Sequence, residues 1–186
     1  MYVSSSRLKL FAEGIFYSKM IYCLPLFAHV FGLERYRDTR TVYFSFTRED
    51  SRKLQVLQNS VMRLVSRKTR GTATSDLLKA TNSLSVQQLV AAHTLNMVHK
   101  VVYTSKPAYL ARRLAFKEQV DEREQQGRNS GMITVPSQKL STTRGGFVAR
   151  GSQLFNNLPV DLRLEKNLKK FKVKTRKWIT ENIEQR

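Results

Sequence analysis

Along most of this chain apolar residues recur every three to four positions, the spacing that places them on one face of an α-helix. The first such stretch starts near Ser4 to Ser6, which offer N-caps, and reads as a helix ending near Pro25. Leu8, Phe11, Ile15 and Tyr22 share one stripe of it. Its second half is apolar nearly all round, which predicts burial from several sides. Residues 34–46 mix charge with β-favouring aromatics and read as a loop. Thr47 then opens a clear helix, because Thr47 and Asp50 have capping-box spacing. Leu54, Leu57, Val61, Leu64 and Val65 form its apolar face, Arg52, Lys53, Arg63, Arg67, Lys68 and Arg70 its polar side, and Gly71 ends it. A short helix over Ser75 to Ala80 follows.

Ser85 and Gln88 repeat the capping box ahead of a helix that runs to Ser105-Lys106-Pro107. Pro107 suits the first turn of the next helix, residues 107–116. Residues 117–131 are polar, contain Gly and Asn, and read as a hinge. Met132 to Pro136 favours an extended conformation, with Pro136 unable to sit in a central strand. At 100° per residue the last helix gathers Leu168, Phe171, Thr175, Trp178 and Ile179 on one side and spreads Lys169, Lys170, Lys172, Arg176 and Lys177 over the other. The alternation of basic and apolar residues there is a basic amphipathic helix, not a strand. No internal repeat or low-complexity tract interrupts the pattern.

Charge changes this picture most. The 186 residues include 33 Lys and Arg against 14 Asp and Glu, a formal net charge of +19. That field favours polyanions, nucleic acid first and anionic membrane second. The bland alternative is a solvated basic surface, but the excess is far larger than solubility requires. The only membrane candidate, residues 20–33, is too short, since a span needs about 20 apolar residues; it also contains Pro25 and His29. No stable membrane insertion is expected, and no small-residue cleavage site marks a signal peptide. Cys23 is the only cysteine, so neither an internal disulfide nor a cysteine-rich zinc site can form. An intracellular, reducing compartment suits that usage.

Candidate chemistry is sparse. No phosphate-binding glycine loop is present. His29, His93 and His99 share no metal-binding spacing, and His93 and His99 fall on different faces of one helix. Two-metal nucleotidyl transfer needs clustered carboxylates. The acidic pairs, Glu49-Asp50 and Asp121-Glu122, sit in a helix cap and in the polar hinge. The expectation is therefore a chain that is not an enzyme, with no catalytic residue, metal site or cofactor.

Several stretches carry a resemblance. Ser18-Lys19-Met20-Ile21-Tyr22 matches an "S-K/R-hydrophobic-x-Y" pattern, and Leu54, Gln58, Asn59 and Arg63 match "L-x-x-x-Q-N-x-x-x-R". Pro107, Tyr109 and Leu110 match "P-x-Y-L". Phe147, Gly151, Leu154, Phe155, Asn156, Leu158, Pro159, Leu162 and Arg163 line up with an aromatic, a glycine four later, then "L-W-N-x-L-P-x-x-L-R". Phe171-Lys172 follows as a basic "F-K" helix. In order and spacing this resembles the C-terminal part of reverse transcriptases from LINE-type (non-LTR, jockey-like) retrotransposons. Phe155 stands where that family usually has tryptophan, and Gly145-Gly146 where Arg-Ser is common, with Arg144 one place earlier. The family's fingers and palm, with their "F/Y-A-D-D" aspartates, have no counterpart in these residues.

The resemblance implies a mainly α fold with little or no sheet. Its parts would be a thumb-like helical bundle over 1–116, the hinge over 117–131, and a small helical segment over 132–186 that carries the basic helix. It implies a non-catalytic fragment that holds RNA or DNA template-primer duplex by backbone contacts, with the palm and fingers of the parent polymerase as a protein partner. The nucleic-acid-binding residues would be Lys169, Lys170, Lys172, Lys174, Arg176 and Lys177. The N-terminal helix is where an unpartnered apolar face would fall. Asn156-Asn157-Leu158-Pro159 would cap one helix and redirect the chain towards the basic one, a turn that Asn and Pro serve well. An unrelated basic RNA- or DNA-binding module, or a peripheral membrane or partner-helix binder working through 167–183, are the alternative readings.

Overall fold

The computed structural model describes residues 4–22, 48–117, 130–135 and 146–183. Among them the chain is mainly helical, with no strand or sheet. The readings of Cys23, Pro25, His29, the 34–46 loop, the Thr47 cap, Asp121-Glu122, Pro136 and Arg144-Gly145 lie outside the described residues, as does the hinge except for Lys117, Ser130 and Gly131.

The N-terminal helix starts where the caps predict. Ser4 is the N-cap, and its side chain accepts from Arg7 N–H. Helix α1 (Ser5–Phe11) passes without a break into a π-helical segment, Ala12–Tyr17, and then into α2 (Ser18–Ile21). The Ser18 hydroxyl donates back to the Gly14 and Ile15 carbonyls, binding the widened turn to the one after it. Burial from several sides is not observed. Neither α1 nor the π segment buries a residue, and Leu10, Phe11, Ile15 and Tyr22 are exposed. Among the described helices it packs chiefly against the next two long ones.

Helix α3 (Arg48–Ser66) is rotated from the expected orientation. Leu57 and Leu64 are 53% and 66% exposed, and the buried positions are Ser51, Gln58, Asn59, Met62 and Val65. The reason is a set of side-chain amide bonds. Gln58 Nε2 donates to the Leu84 carbonyl at 2.7 Å. Gln55 Oε1 accepts from Val86 N–H at 3.0 Å, and Asn59 Nδ2 donates to Thr74 Oγ1 at 2.8 Å. Those bonds turn the amides inward and leave part of the apolar stripe in water. Arg63 also differs from expectation, being half-buried rather than on a free polar side.

Helix α4 (Thr74–Thr81) leads to Ser85. There both capping-box bonds form, Ser85 N–H to Gln88 Oε1 at 3.1 Å and Gln88 N–H to Ser85 Oγ at 3.3 Å. They start α5 (Val86–Thr104), the central helix, whose buried residues include Val90, Ala91, Leu95, Val98, His99 and Val101. The helix expected over 107–116 is shorter, only α6 (Ala108–Ala111). Beyond Leu114 the backbone is diverted into one antiparallel bridge, Phe116 with Ile133. Lys117 N–H donates to Met132 O and Thr134 N–H to Ala115 O, each at 2.9 Å.

Helix α7 (Phe147–Asn156) crosses α5 closely because Gly151 has no side chain. A Cβ there would stand 2.7 Å from Val98 Cγ2, too close for a stiff β-branched neighbour to accept without moving. The Asn-Asn-Leu-Pro corner does more than turn the chain. Asn156 Oδ1 accepts from Ile133 N–H at 2.8 Å, and its Nδ2 donates to Ile133 O at 2.9 Å. One side-chain amide thereby pairs with both backbone groups of the extended segment, as a neighbouring strand would. Asn157 is the C-cap of α7, Leu158 is buried, and Pro159 is the N-cap of α8 (Val160–Arg163). The corner thus leads first into this short helix and only then to the last one. A single apolar cluster takes side chains from both sides of the hinge range, among them Leu95, Val98, Leu114, Ile133, Phe155, Phe171 and Ile179.

Candidate nucleic-acid interface

The last helix, α9 (Leu168–Asn182), begins at Asn167, whose Oδ1 accepts from Lys169 N–H and Lys170 N–H at 2.9 and 3.2 Å. The cap satisfies two amides that would otherwise lack partners in the first turn. The expected apolar face is the one that docks. Phe171, Thr175 and Ile179 are buried, and Leu168 and Trp178 are half-buried against the same core. Phe171 stacks on His99 with centroids 4.1 Å apart and lies 6.3 Å from Phe155 at a 28° interplanar angle. At the far end Gln88 Nε2 donates to the Ile183 carbonyl at 3.0 Å.

His99 supports this docking, and nothing in the local sequence marks it. It is almost fully buried between Tyr103 and Phe171, and its Nε2 lies 2.6 Å from the Glu165 carbonyl. A carbonyl only accepts, so Nε2 carries a proton. Burial lowers the His99 pKa, against a smaller opposing effect of the Glu165 carbonyl and carboxylate. Tyr103 OH donates to the Arg163 carbonyl next to it. The loop that launches α9 is therefore tied to α5 at two carbonyls. Arg163, the arginine of the "L-R" pattern, is itself buried, and burial lowers its pKa. It belongs to the packing beneath the surface, not to the surface.

All six predicted cations on α9 are exposed, but they are not equivalent. Lys169, Lys170 and Lys177 share the outermost face with Val173, which sits within a turn of each. Lys174 Nζ is 2.9 Å from Glu165 Oε2. That ammonium first, then the Asn167 N–H, holds the Glu165 carboxyl below the usual carboxylate range. Arg176 Nη2 donates to the Asn82 carbonyl at 2.6 Å. Lys172 lies on the edge turned towards α5, close enough that its charge adds to burial in lowering the His93 pKa. Among the described residues the side chains of Lys169, Lys170, Lys172 and Lys177 thus make no hydrogen bond or ion pair, although the Lys170 charge also acts on Glu165, and Lys174 and Arg176 are partly committed within the fold.

This arrangement offers phosphate-binding charge on a rigid support. Among the described residues no group of three or more His, Cys, Asp or Glu is placed to hold a metal ion, and no helix is long and apolar enough to cross a membrane. Comparison with protein-family models, with curated proteins and with solved structures finds no match.

Proposed function

We propose that this chain is a non-catalytic, helical nucleic-acid-binding segment of the kind found in the C-terminal part of LINE-type reverse transcriptases. It grips template-primer duplex through phosphate contacts. The observation that carries the reading is the α9 surface. Six cations occur within residues 169–177, all exposed, on a helix whose opposite face is fixed by Phe171 and Ile179 in the core. Phosphate contacts from lysines position a duplex and carry no base code. A rigid support keeps their spacing constant from one duplex to the next. The ordered matches from Ser18 to Lys172 supply the retrotransposon part of the reading.

The test uses the four lysines whose ammonium groups are least committed. Each neutralised phosphate contributes about 0.9 to the log-log salt slope on B-DNA. Lys169→Gln, Lys170→Gln, Lys172→Gln and Lys177→Gln together should flatten that slope by roughly 3 to 4. Duplexes of different sequence should weaken about equally. An unchanged slope and affinity in this variant would reduce the basic face to a solubilising surface.

A further inference from the structure

An open pocket of about 470 Å³ lies where the N-terminal helix meets the Asn82–Leu84 turn, α5 and α9. We propose that it takes one unpaired base of a single-stranded extension, while the duplex that precedes this base lies on α9; the inference rests on the nucleic-acid reading of that helix. Its volume falls within the roughly 300–1,000 Å³ of small-molecule sites. Two phenol rings line it, Tyr17 and Tyr22. Tyr17 is fixed, its hydroxyl accepting from Gln58 Nε2 at 3.2 Å. Tyr22 is 80% exposed. Every base has a π-face, so aromatic rings beside a basic track are the general means of holding unpaired strands.

Charge decides which part of the nucleotide enters. Arg176 lines the pocket and also belongs to the basic face of α9. Its bond to the Asn82 carbonyl fixes the guanidinium at the junction. Glu13, in the π-helical segment, lines the pocket too. A carboxylate repels a phosphate but accepts from the exocyclic amino groups of bases. The base therefore goes in and the phosphate stays at the Arg176 side, next to Lys172. His93 in the wall offers a neutral polar edge, since burial and the Lys172 charge disfavour its protonation.

The experiment uses the full chain and fluorescence anisotropy at fixed salt. One probe is a blunt duplex. The other is the same duplex with a short single-stranded extension containing 2-aminopurine. The extension should tighten binding roughly tenfold or more, by the usual strength of base–aromatic stacking, and its fluorescence should be quenched. Tyr22→Ala should remove both effects and Tyr22→Phe keep them, with blunt-duplex affinity unchanged in either variant. The exposed ring can be truncated without disturbing the core. Equal wild-type affinity for the two probes, or a gain that survives Tyr22→Ala, overturns the pocket and leaves the α9 reading intact. Absence of blunt-duplex binding overturns the α9 reading itself, and the pocket inference with it. AMP added alone should not displace blunt duplex. If it saturates the pocket as tightly as the extension does, the site is one for free nucleotides and the strand inference falls.

Discussion

Helices α3 and α9 both turn lysines and arginines to solvent, and both lie against α5. What faces α5 and its neighbours differs. From α9 it is a ring and branched aliphatics, Phe171 and Ile179, with Leu168 and Trp178 at the margins. From α3 it is largely a row of amides, Gln55, Gln58 and Asn59, bonded to the first residue of α5, the α4–α5 connection and α4 respectively. An apolar contact is non-directional and scales with area. An amide contact is directional, and a buried unmade partner costs more than a made bond contributes. In α3 direction decided which face is buried, and Leu57 and Leu64 were left in water.

The contrast can be broken first at Phe171. Deleting a fully buried phenylalanine ring costs about 3–5 kcal/mol, so Phe171→Ala should lower the urea midpoint by the most of any single change on α9. Trp178→Ala removes a larger ring but a half-buried one, and should cost less. A Trp178→Ala variant less stable than Phe171→Ala would relocate the anchor of this helix.

On α3 the order of importance should invert relative to hydrophobicity. Gln58→Ala leaves the Leu84 carbonyl without its donor, at about 1–3 kcal/mol. Leu57→Ala, at an exposed position, should stay within about 0.5 kcal/mol. Equilibrium unfolding of both variants checks this. A costlier Leu57→Ala would mean that the apolar stripe, not the amide row, is the face that docks.

These two helices also mark how far the sequence could be read. The face of α9 was legible because Leu168, Phe171, Thr175, Trp178 and Ile179 meet an apolar core, the case in which periodicity and burial coincide. The Ser85–Gln88 capping box was legible because both partners are local. The orientation of α3 was not, because Gln58 bonds a carbonyl 26 positions away and amides score as polar wherever they point. The Asn156–Ile133 pairing and the His99–Glu165 bond were hidden for the same reason. Of the candidate interface, every cation proved exposed, but the commitments of Lys174 to Glu165 and Arg176 to Asn82 needed the fold. The pocket ring Tyr22 read as part of an apolar stripe, and only the packing of three other elements around it gives it a cavity.

The smallest expected effect separates the two contacts by pH. Under α9 lies a titratable ring, His99, stacked on Phe171. The amides that hold α3 do not titrate. Burial lowers the His99 pKa from its ordinary 6.5 in the folded chain, so the fold favours the neutral ring. Stability from this preference is fully present above pH 6.5 and is lost as pH falls from there through the lowered folded value. His93 contributes in the same direction, because burial and Lys172 lower its pKa too. The Glu165 carboxyl, also lowered, adds its own loss only at more acid pH, below the ordinary carboxylate value of 4.5. Unfolding should therefore become easier as pH falls below 6.5, before the Glu165 carboxyl is involved. His99→Gln, which keeps an N–H donor for the Glu165 carbonyl, should shrink that pH-dependent loss, and His93→Gln should shrink the remainder. Gln58→Ala should shift stability equally at every pH in this range. Protection of α9 amides, relative to their intrinsic exchange rates, that fails to fall ahead of that of α3 as pH drops would show that the ring beneath Phe171 does not sense protonation, and the chemical distinction between the two helices would then rest on geometry alone.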